Sequence, residues 1–479
     1  MVAVDVVLTL DIGSSGVRAR AYSRDMQVHA EHSIDLVTTV AADGTSTHSL
    51  TEIFHAVGAC IRALAAKAEL HVIALCASGT ASSLAVLHAG DDTQVLLWSD
   101  TRAATQFSQI APHLLAAYPR TLCPPDVSYW PAKLRYLQGS GALQPPVTIA
   151  GAKDLVFQWL TGHLWVDPMT AAATGLFDSE ASKWDAQLLA YLHVDERLLP
   201  QLHAATATSP LTASAAAELG LHADVPVVLG GMDGPLTQLG SAGTQQGIAS
   251  CTIGTSIAYR QGLAARRQDP AAHIWCYPIC DDFWVMGGAG SNGGNLLTWL
   301  RDRIGLGDSV SQLVDAAFSV VPDASLTFVP YLHGERAPLW RADLRAAFVG
   351  LAAHHTSADL ACAVVQGIAA AVVELSLAVE SVAGAATDVV FTGGFVQDAR
   401  WLRRMTDALG ARTYVPLPAA ATSTGIAMLA WAAVLGQSIG EVFTPGREAL
   451  ELPDAQSNAR IRATSEEIQR MRTLLWPQA

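Results

Sequence analysis

The sequence predicts an α/β protein of two large lobes, each opening on a strand, a glycine turn and a return strand. Three observations carry this. The length, 479 residues, exceeds one compact domain and suits two. The composition, 51% hydrophobic and 15% charged, lets each lobe bury a large core and weighs against disorder. The third is a repeated unit. Val4 to Ile12, rich in β-branched residues, runs into Gly13-Ser14-Ser15-Gly16 and continues as a strand from Val17 to Tyr22. Ile248 to Ile253 runs into Gly254-Thr255-Ser256 and returns from Ile257 to Arg260. Units half a chain apart point to duplicated lobes rather than a short-period array. The expected lobes are 1–243 and 244–479, meeting near Ala242 to Gln246 without a low-complexity linker.

The remaining elements follow in order. After the first hairpin come a helix from Ile53 to Ala68 and a strand from Val72 to Ala77. Leu84 to Leu87 and Val95 to Trp98 are short strands around the turn Ala89-Gly90-Asp91-Asp92. Leu155 to Leu160 and Ala186 to Tyr191 are helical, and the apolar strand Val225 to Leu229 ends at Gly230-Gly231. The second lobe continues with strand Phe283 to Met286, a helical tract from Leu360 to Val382, strand Val389 to Thr392 and a helix through Ala430. The polar stretch after Pro453 is expected on the surface. The apolar run Ile426 to Leu435 is about half a membrane span and reads as a buried helix.

Charge and cysteine usage narrow the classes. A net charge of -14 weighs against nucleic-acid and anionic-membrane partners, although local donors still allow a small anionic substrate. Lys67, Lys133, Lys153 and Lys183 are the only lysines, which reads as compositional bias. The seven cysteines include no C-x-x-C and no zinc spacing, and Cys276 with Cys280 reads as incidental. The chain opens on an apolar strand from Val2 with no basic region or cleavage site. Together these fit a reducing cytoplasm.

Several segments bear chemistry. In Asp11-Ile12-Gly13-Ser14-Ser15-Gly16-Val17-Arg18, the glycines let backbone N–H groups approach an oxyanion and the two hydroxyls add donors. Arg18 can pair with phosphate, and Asp11 stands where a strand-end carboxylate can hold Mg²⁺ through water. An ordinary hairpin turn would look the same. Thr252-Ile253-Gly254-Thr255-Ser256 repeats the logic, and two such hairpins can clamp a polyphosphate. No P-loop string and no protein-kinase set is present. Asp233 follows an apolar strand in Gly230-Gly231-Met232-Asp233-Gly234, where a carboxylate can take a proton from an attacking hydroxyl or simply cap the next helix. Gly393-Gly394, after a strand, permits close approach of a nucleotide or makes a plain strand-to-helix turn. The loop Gly287 to Asn295 has the same two readings. Glu335-Arg336 reads as a structural pair fixing a loop. His88, His193, His354 and His355 lack ligand spacing and read as surface or satisfied histidines.

This ordered set resembles the FGGY carbohydrate kinase family over nearly the whole chain. The resemblance includes Asp11 to Ser15, Leu97 to Arg102, Leu160-Thr161-Gly162 with Asp167 downstream, and Gly231 to Gly234. It continues through Gly254-Thr255-Ser256, Tyr331 to Trp340, Thr392-Gly393-Gly394 and Thr424-Gly425-Ile426-Ala427. It implies a two-lobed actin-like (RNase H-like) fold with an active-site cleft, ATP and Mg²⁺ between the lobes and sugar deeper in the first. By that likeness Asp233 is the general base and Asp11 the metal-side carboxylate, with Asp233 also near the metal. Gly13, Ser14, Ser15, Arg18, Gly254 and Thr255 face phosphates, and Gly393 and Gly394 face the nucleotide. Ser82 and Gly234, with Asp233, face the substrate. A homodimer is implied by likeness alone.

Within the family the likeness is greatest to gluconate kinases, through Asp233 to Leu236, Leu239-Gly240, Cys251 to Ser256, Gly287 to Gly294, Gly350-Leu351 and His354-His355-Thr356. Three strings depart from the family pattern. Thr80-Ala81-Ser82-Ser83 replaces Gln-Met-His-Gly or Met-His-Ser, exchanging an imidazole for a hydroxyl in a string that lines the sugar pocket. Thr47-His48-Ser49-Leu50 replaces Glu-Gln-Asp-Pro, and Trp340-Arg341 replaces Trp-Asp. The expected activity is ATP-dependent phosphorylation of a small sugar or sugar acid, gluconate foremost. The alternatives are a ketopentose or glycerol kinase and, in another class, a nucleotide- and sugar-binding sensor.

Overall fold

The computed structural model describes residues 3–88, 93–144, 146–280 and 282–477. Val2 and the expected turn at Ala89 to Asp92 lie outside the described residues. The chain forms two compact units. One comprises Met1–Thr244 with Ala264–Val285 and Ala420–Gly446, and the other Gln245–Leu263, Met286–Ala419 and Arg447–Ala479.

The first unit is built on a six-stranded sheet in the order Thr208–Pro210, Pro226–Met232, Leu70–Gly79, Val4–Ile12, Gly16–Tyr22, Val28–Asp35. The three strands Pro226–Met232, Leu70–Gly79 and Val4–Ile12 are mutually parallel, and antiparallel partners flank them. Val6 to Leu10 is buried without interruption, as a central parallel strand covered on both faces requires. Helix Leu50–Ala65 starts where the Ser49 hydroxyl accepts the Glu52 N–H. It buries Ile53, Val57, Ile61 and Leu64, one helical stripe, in the core below the sheet.

Helix Asp233–Ala242 crosses helix Ala421–Leu435 with almost no side chain between them. A β-carbon on Gly240 would stand 1.8 Å from the Ala421 carbonyl oxygen, and one on Gly425 2.0 Å from that of Leu236. This crossing brings the late segment into the first unit.

Three elements of this unit have no apolar signature in the sequence. Strand Val28–Asp35 is a largely exposed edge carrying His29, Glu31, His32 and Asp35. Helix Ala104–Thr121 contains Pro112 and Pro119, which from sequence argue for a break. Helix Trp130–Gly139 hides its register behind a buried lysine.

The second unit carries strands in the order Phe283–Ala289, Ile257–Leu263, Ile248–Ile253, Asp388–Thr392, Arg412–Leu417, Gly446–Ala449. Its centre repeats the first sheet: an antiparallel hairpin whose first strand runs parallel to a later strand. Helix Ser357–Ala383 is long and apolar enough to cross a membrane. Its residues from Ala361 to Val373 are all buried, against helices Val310–Ser319 and Ala455–Leu475 and strand Thr327–Pro330. The polar C-terminal stretch, expected to lie on the surface, forms helix Ala455–Leu475 and buries one face. Ile461, Ser465 and Ile468 point inward, and Ile468 joins Val329, Tyr331, Leu344 and Ala370 in a small core. Three inward residues in 21 are too few to offset the segment's overall polarity in a sequence reading.

Candidate active site

In the first unit, register aligns the candidate residues. Asp11 pairs with Ser78, and Ser78 pairs with Gly231, so the three form one row across three parallel strands. Strand spacing sets the Asp11 and Gly231 backbones roughly 10 Å apart. The next row is Ile12, Gly79 and Met232, and Asp233 follows directly. Both candidate carboxylates thus sit at the C-terminal edge of the parallel strands, the edge where open α/β sheets hold ligands.

Ser78 donates its hydroxyl hydrogen to Asp11 Oδ1 at 2.9 Å, and Arg18 stands opposite Asp11 on the hairpin partner. Burial raises the Asp11 carboxyl above its ordinary value, against the pull of Ser78, Arg18 and Arg20. The turn is closed by Gly13 N–H to the Gly16 carbonyl at 2.9 Å, leaving Ser14 and Ser15 exposed. Ser14 joins Thr38, Gly44, Trp98, Ser99 and Thr101 around a cavity of about 350 Å³.

Asp233 is half-buried and is the first residue of its helix. Its Oδ1 accepts the Gly234 N–H at 2.7 Å, and its carbonyl accepts the Thr237 hydroxyl at 2.8 Å. Thr237 also bonds Thr422 at 2.8 Å, which ties this first turn to helix Ala421–Leu435.

Ser82 has a left-handed backbone, φ 56°, and its buried hydroxyl donates to the Ala173 carbonyl at 2.7 Å. Its own carbonyl accepts Lys133 Nζ at 3.0 Å, and Trp130 Nε1 donates to the Ser83 carbonyl at 3.0 Å. The Thr80 to Ser83 string is therefore fastened from inside the unit.

In the second unit the turn is closed by Gly254 N–H to the Ser256 carbonyl at 2.9 Å, and Gly254 and Thr255 are exposed. The glycine-rich loop supports this turn: Gly294 N–H donates to Gly254 at 2.8 Å and Asn295 N–H to Thr255 at 3.2 Å. Thr252 and Thr392 are register partners whose hydroxyls meet at 2.6 Å, and Arg260 Nη1 donates to Thr252 at 3.1 Å. Gly393 has φ 101°, and a β-carbon there would lie 2.5 Å from the Ile253 carbonyl oxygen. Only glycine fits that turn without strain. Gly393 and Gly394 are both exposed.

Glu335 and Arg336 each hold the glycine-rich loop. Glu335 accepts the Ser291 N–H and Asn292 Nδ2, and Arg336 Nη2 donates to the Gly290 carbonyl at 2.7 Å. Burial pushes the Glu335 carboxyl up to about 7. A group of possible metal ligands, Asp323 with His354 and His355, does not suit a metal. The Ala352 N–H donates to His355 Nδ1 at 2.9 Å, so the ring proton sits on Nε2, facing Asp323 at 3.0 Å. That nitrogen has no lone pair to offer.

Sequence reasoning missed a buried polar set in the first unit. Lys133 and Lys153 are fully enclosed, as are Asp154 and Asp167. The available signal was Lys153-Asp154 opening the apolar run Leu155 to Leu160, whereas nothing in Trp130 to Gly139 marks Lys133.

The model for the N-terminal domain of the FGGY family of carbohydrate kinases matches residues 6–240, and that for its C-terminal domain residues 249–434. A gluconokinase of Bacillus subtilis is 28% identical over 438 residues, covering 86% of this chain and 84% of the relative. A xylulose kinase of Staphylococcus epidermidis is 25% identical over 478 residues, covering 94% of each. The crystal structure of gluconate kinase from Lactobacillus acidophilus superposes with a TM-score of 0.91 at 24% identity, covering 99% of this chain and 98% of that one. The chain thus has the two-domain fold of this group and is a member of the FGGY family of carbohydrate kinases, ATP-dependent phosphotransferases with a sugar hydroxyl as acceptor.

Proposed function

We propose that this kinase transfers the γ-phosphate of ATP to a hydroxyl of a small sugar acid, gluconate. The observation that carries the chemistry is the row Asp11, Ser78, Gly231, which sets Asp11 and Asp233 on one edge of one sheet. In this reading Asp233 accepts the proton of the attacking hydroxyl as the phosphoryl group transfers. Gly234 and Ser82 belong to the substrate side, Ser82 through its backbone, since its hydroxyl proton is committed to Ala173. Gly13, Ser14, Ser15 and Arg18 contact phosphates, as do Gly254 and Thr255, and Gly393 with Gly394 passes close to the nucleotide. Alignment and charge neutralisation supply most of the catalysis in such reactions.

The donor set fits Mg²⁺. Asp11 and Asp233 offer hard oxygen ligands, and Asp11 is held in a burial that a nearby cation would relieve. Neutralisation of charge on the phosphate oxygens is what a bound Mg²⁺ supplies.

Gluconate is favoured by the gluconokinase of Bacillus subtilis, which aligns over most of both chains. A ketopentose is the second reading, favoured by the xylulose kinase of Staphylococcus epidermidis, which aligns over more of each. A nucleotide- and sugar-binding sensor is the reading of another class, motivated by the inward fastening of Thr80 to Ser83. The seven free cysteines support a cytoplasmic location. A homodimer rests on family likeness.

Coupled ADP release with MgATP tests the reading against gluconate, xylulose, ribulose, glycerol and erythritol. Strong stimulation by gluconate is expected. Stimulation by xylulose alone would replace the substrate. A flat panel from a protein that still binds ADP would favour the sensor.

A further inference from the structure

Lys153 is 2% exposed, and Asp154 and Asp167 are wholly buried. Its Nζ lies 2.9 Å from Asp154 Oδ1, 3.1 Å from Asp167 Oδ2 and 3.3 Å from the Leu229 carbonyl. Burying a lone ammonium is costly, and so is burying two carboxylates. Here each offsets the other. Burial alone would lower the lysine, but the carboxylates beside it outweigh that and hold it above its ordinary value. The extra negative charge is met by backbone. Asp154 stands in the first turn of helix Ala152–Thr161 and accepts the Gly151 N–H at 3.2 Å. Asp167 caps Pro168–Ala172, accepting the Thr170 N–H at 3.0 Å and its hydroxyl at 2.6 Å. Both helix starts favour a carboxylate.

The place of this group matters more than its energy. The Lys153 β-carbon lies 2.8 Å from where a β-carbon on Gly79 would stand. Gly79 is the middle member of the row Ile12, Gly79, Met232. On one side that row leads to the Gly13 turn, and on the other to Asp233. Beyond Gly79, Lys153 Nζ bonds Leu229 in the strand that ends at Met232. Asp167 stands at the same strand, with Oδ1 3.3 Å from a β-carbon position on Gly231. One side chain thus rests on the central strand and grips the strand that delivers the carboxylate.

We propose that Lys153, held by Asp154 and Asp167, is a positioning residue for phosphoryl transfer, fixing the strand end that sets the place of Asp233. This rests on the reading of Asp233 as general base. The group touches no reacting atom in this account. It acts by keeping Leu229 to Met232 in register with Gly79, and an error of about 1 Å at a reacting group costs about a hundredfold in rate.

The test measures kcat, KM for MgATP, ADP affinity and melting temperature for Lys153→Met, Asp167→Asn, the double variant and Asp233→Asn. Lys153→Met and Asp167→Asn should each lower kcat about tenfold to a hundredfold, with KM for MgATP and ADP affinity within about twofold. The double variant should cost no more than the worse single one, because the pair acts as a unit. On the Asp233→Asn background, Lys153→Met should change kcat by less than about twofold, since its route runs through Asp233. Should Lys153→Met fail to fold, Asp167→Asn carries the same comparison, for it keeps the shape and an oxygen to accept the Thr170 N–H. A folded Lys153→Met or Asp167→Asn at wild-type kcat, beside an inactive Asp233→Asn, overturns this inference alone. Full additivity of Lys153→Met with Asp233→Asn overturns it too. An Asp233→Asn protein at wild-type kcat overturns the general-base reading instead.

Discussion

The two hairpin units follow one backbone plan and carry different chemistry. In each, a strand ends in a glycine turn, returns antiparallel, and lies parallel to a later strand of its sheet. The residue two places before the turn glycine faces a hydroxyl on that parallel partner. In the first unit it is a carboxylate, Asp11, bonded by Ser78. In the second it is a hydroxyl, Thr252, bonded by Thr392 and Arg260. The first site stays demanding, because burial works against a charge that protein donors only partly satisfy. In the second, a neutral hydroxyl takes the carboxylate's place, between the Thr392 hydroxyl and the Arg260 guanidinium. A duplicated fold can therefore keep its turn geometry in both copies while one copy specialises in charge and the other in holding a turn. The turn supports divide in the same way. Glu335, Asn292 and the glycine-rich loop brace the second turn, whereas the row beside the first turn is backed by the buried lysine group.

This contrast can be broken by substitution. The largest loss is expected at the carboxylate that follows the first unit's row: Asp233→Asn should lower kcat by about 10²–10⁴-fold. Asp11→Asn comes next, with a loss of roughly 10²-fold and a steeper Mg²⁺ requirement, read from kcat across a Mg²⁺ titration. Gly393→Ala should raise KM for MgATP several-fold and cost about 1–3 kcal/mol of stability, because φ 101° and the Ile253 carbonyl both oppose a β-carbon. Thr252→Val, in the position of Asp11, should cost only about 1 kcal/mol in urea unfolding and less than about tenfold in kcat. Equal losses from Asp11→Asn and Thr252→Val would erase the distinction between the units.

The smallest effect concerns Lys133, the buried lysine whose Nζ bonds carbonyls rather than carboxylates. It donates to the Ser82 and Leu97 carbonyls, and burial lowers it from 10.5 to about 7. Between those values the unfolded chain holds a proton that the folded chain lacks, so this group's contribution to stability rises with pH across that window. Lys133→Met should therefore be least harmful near pH 6 and most harmful near pH 9 in urea unfolding, as the linkage requires. A flat profile between pH 6 and pH 9 would mean that the ammonium stays charged inside the unit, since both states would then hold the proton throughout.

Much of this was legible in the sequence. Strand Ile248–Ile253 shows as a β-rich run before its glycine turn, and helix Ser357–Ala383 shows through its continuous apolar residues. Asp11, Asp233 and the two hairpins show because glycine, hydroxyl and carboxylate recur at strand ends. What stayed hidden depends on distant partners. Nothing local tells that Gly79 must accommodate Lys153, that Ser82 turns its hydroxyl to Ala173, or that segment 420–446 packs with the first unit. Helix Ala104–Thr121 was masked by its prolines, and the edge strand Val28–Asp35 by its charges. The four lysines read as composition, yet two of them are wholly buried within the first unit.

The most direct test of the central claim joins two readings on one preparation of Asp233→Asn: gluconate-dependent kcat by ADP release, and ADP affinity by calorimetry. The account predicts a kcat lowered by at least about a hundredfold with ADP affinity within about twofold of wild type. A variant that turns over at the wild-type rate, or one that loses ADP binding in step with activity, would contradict it.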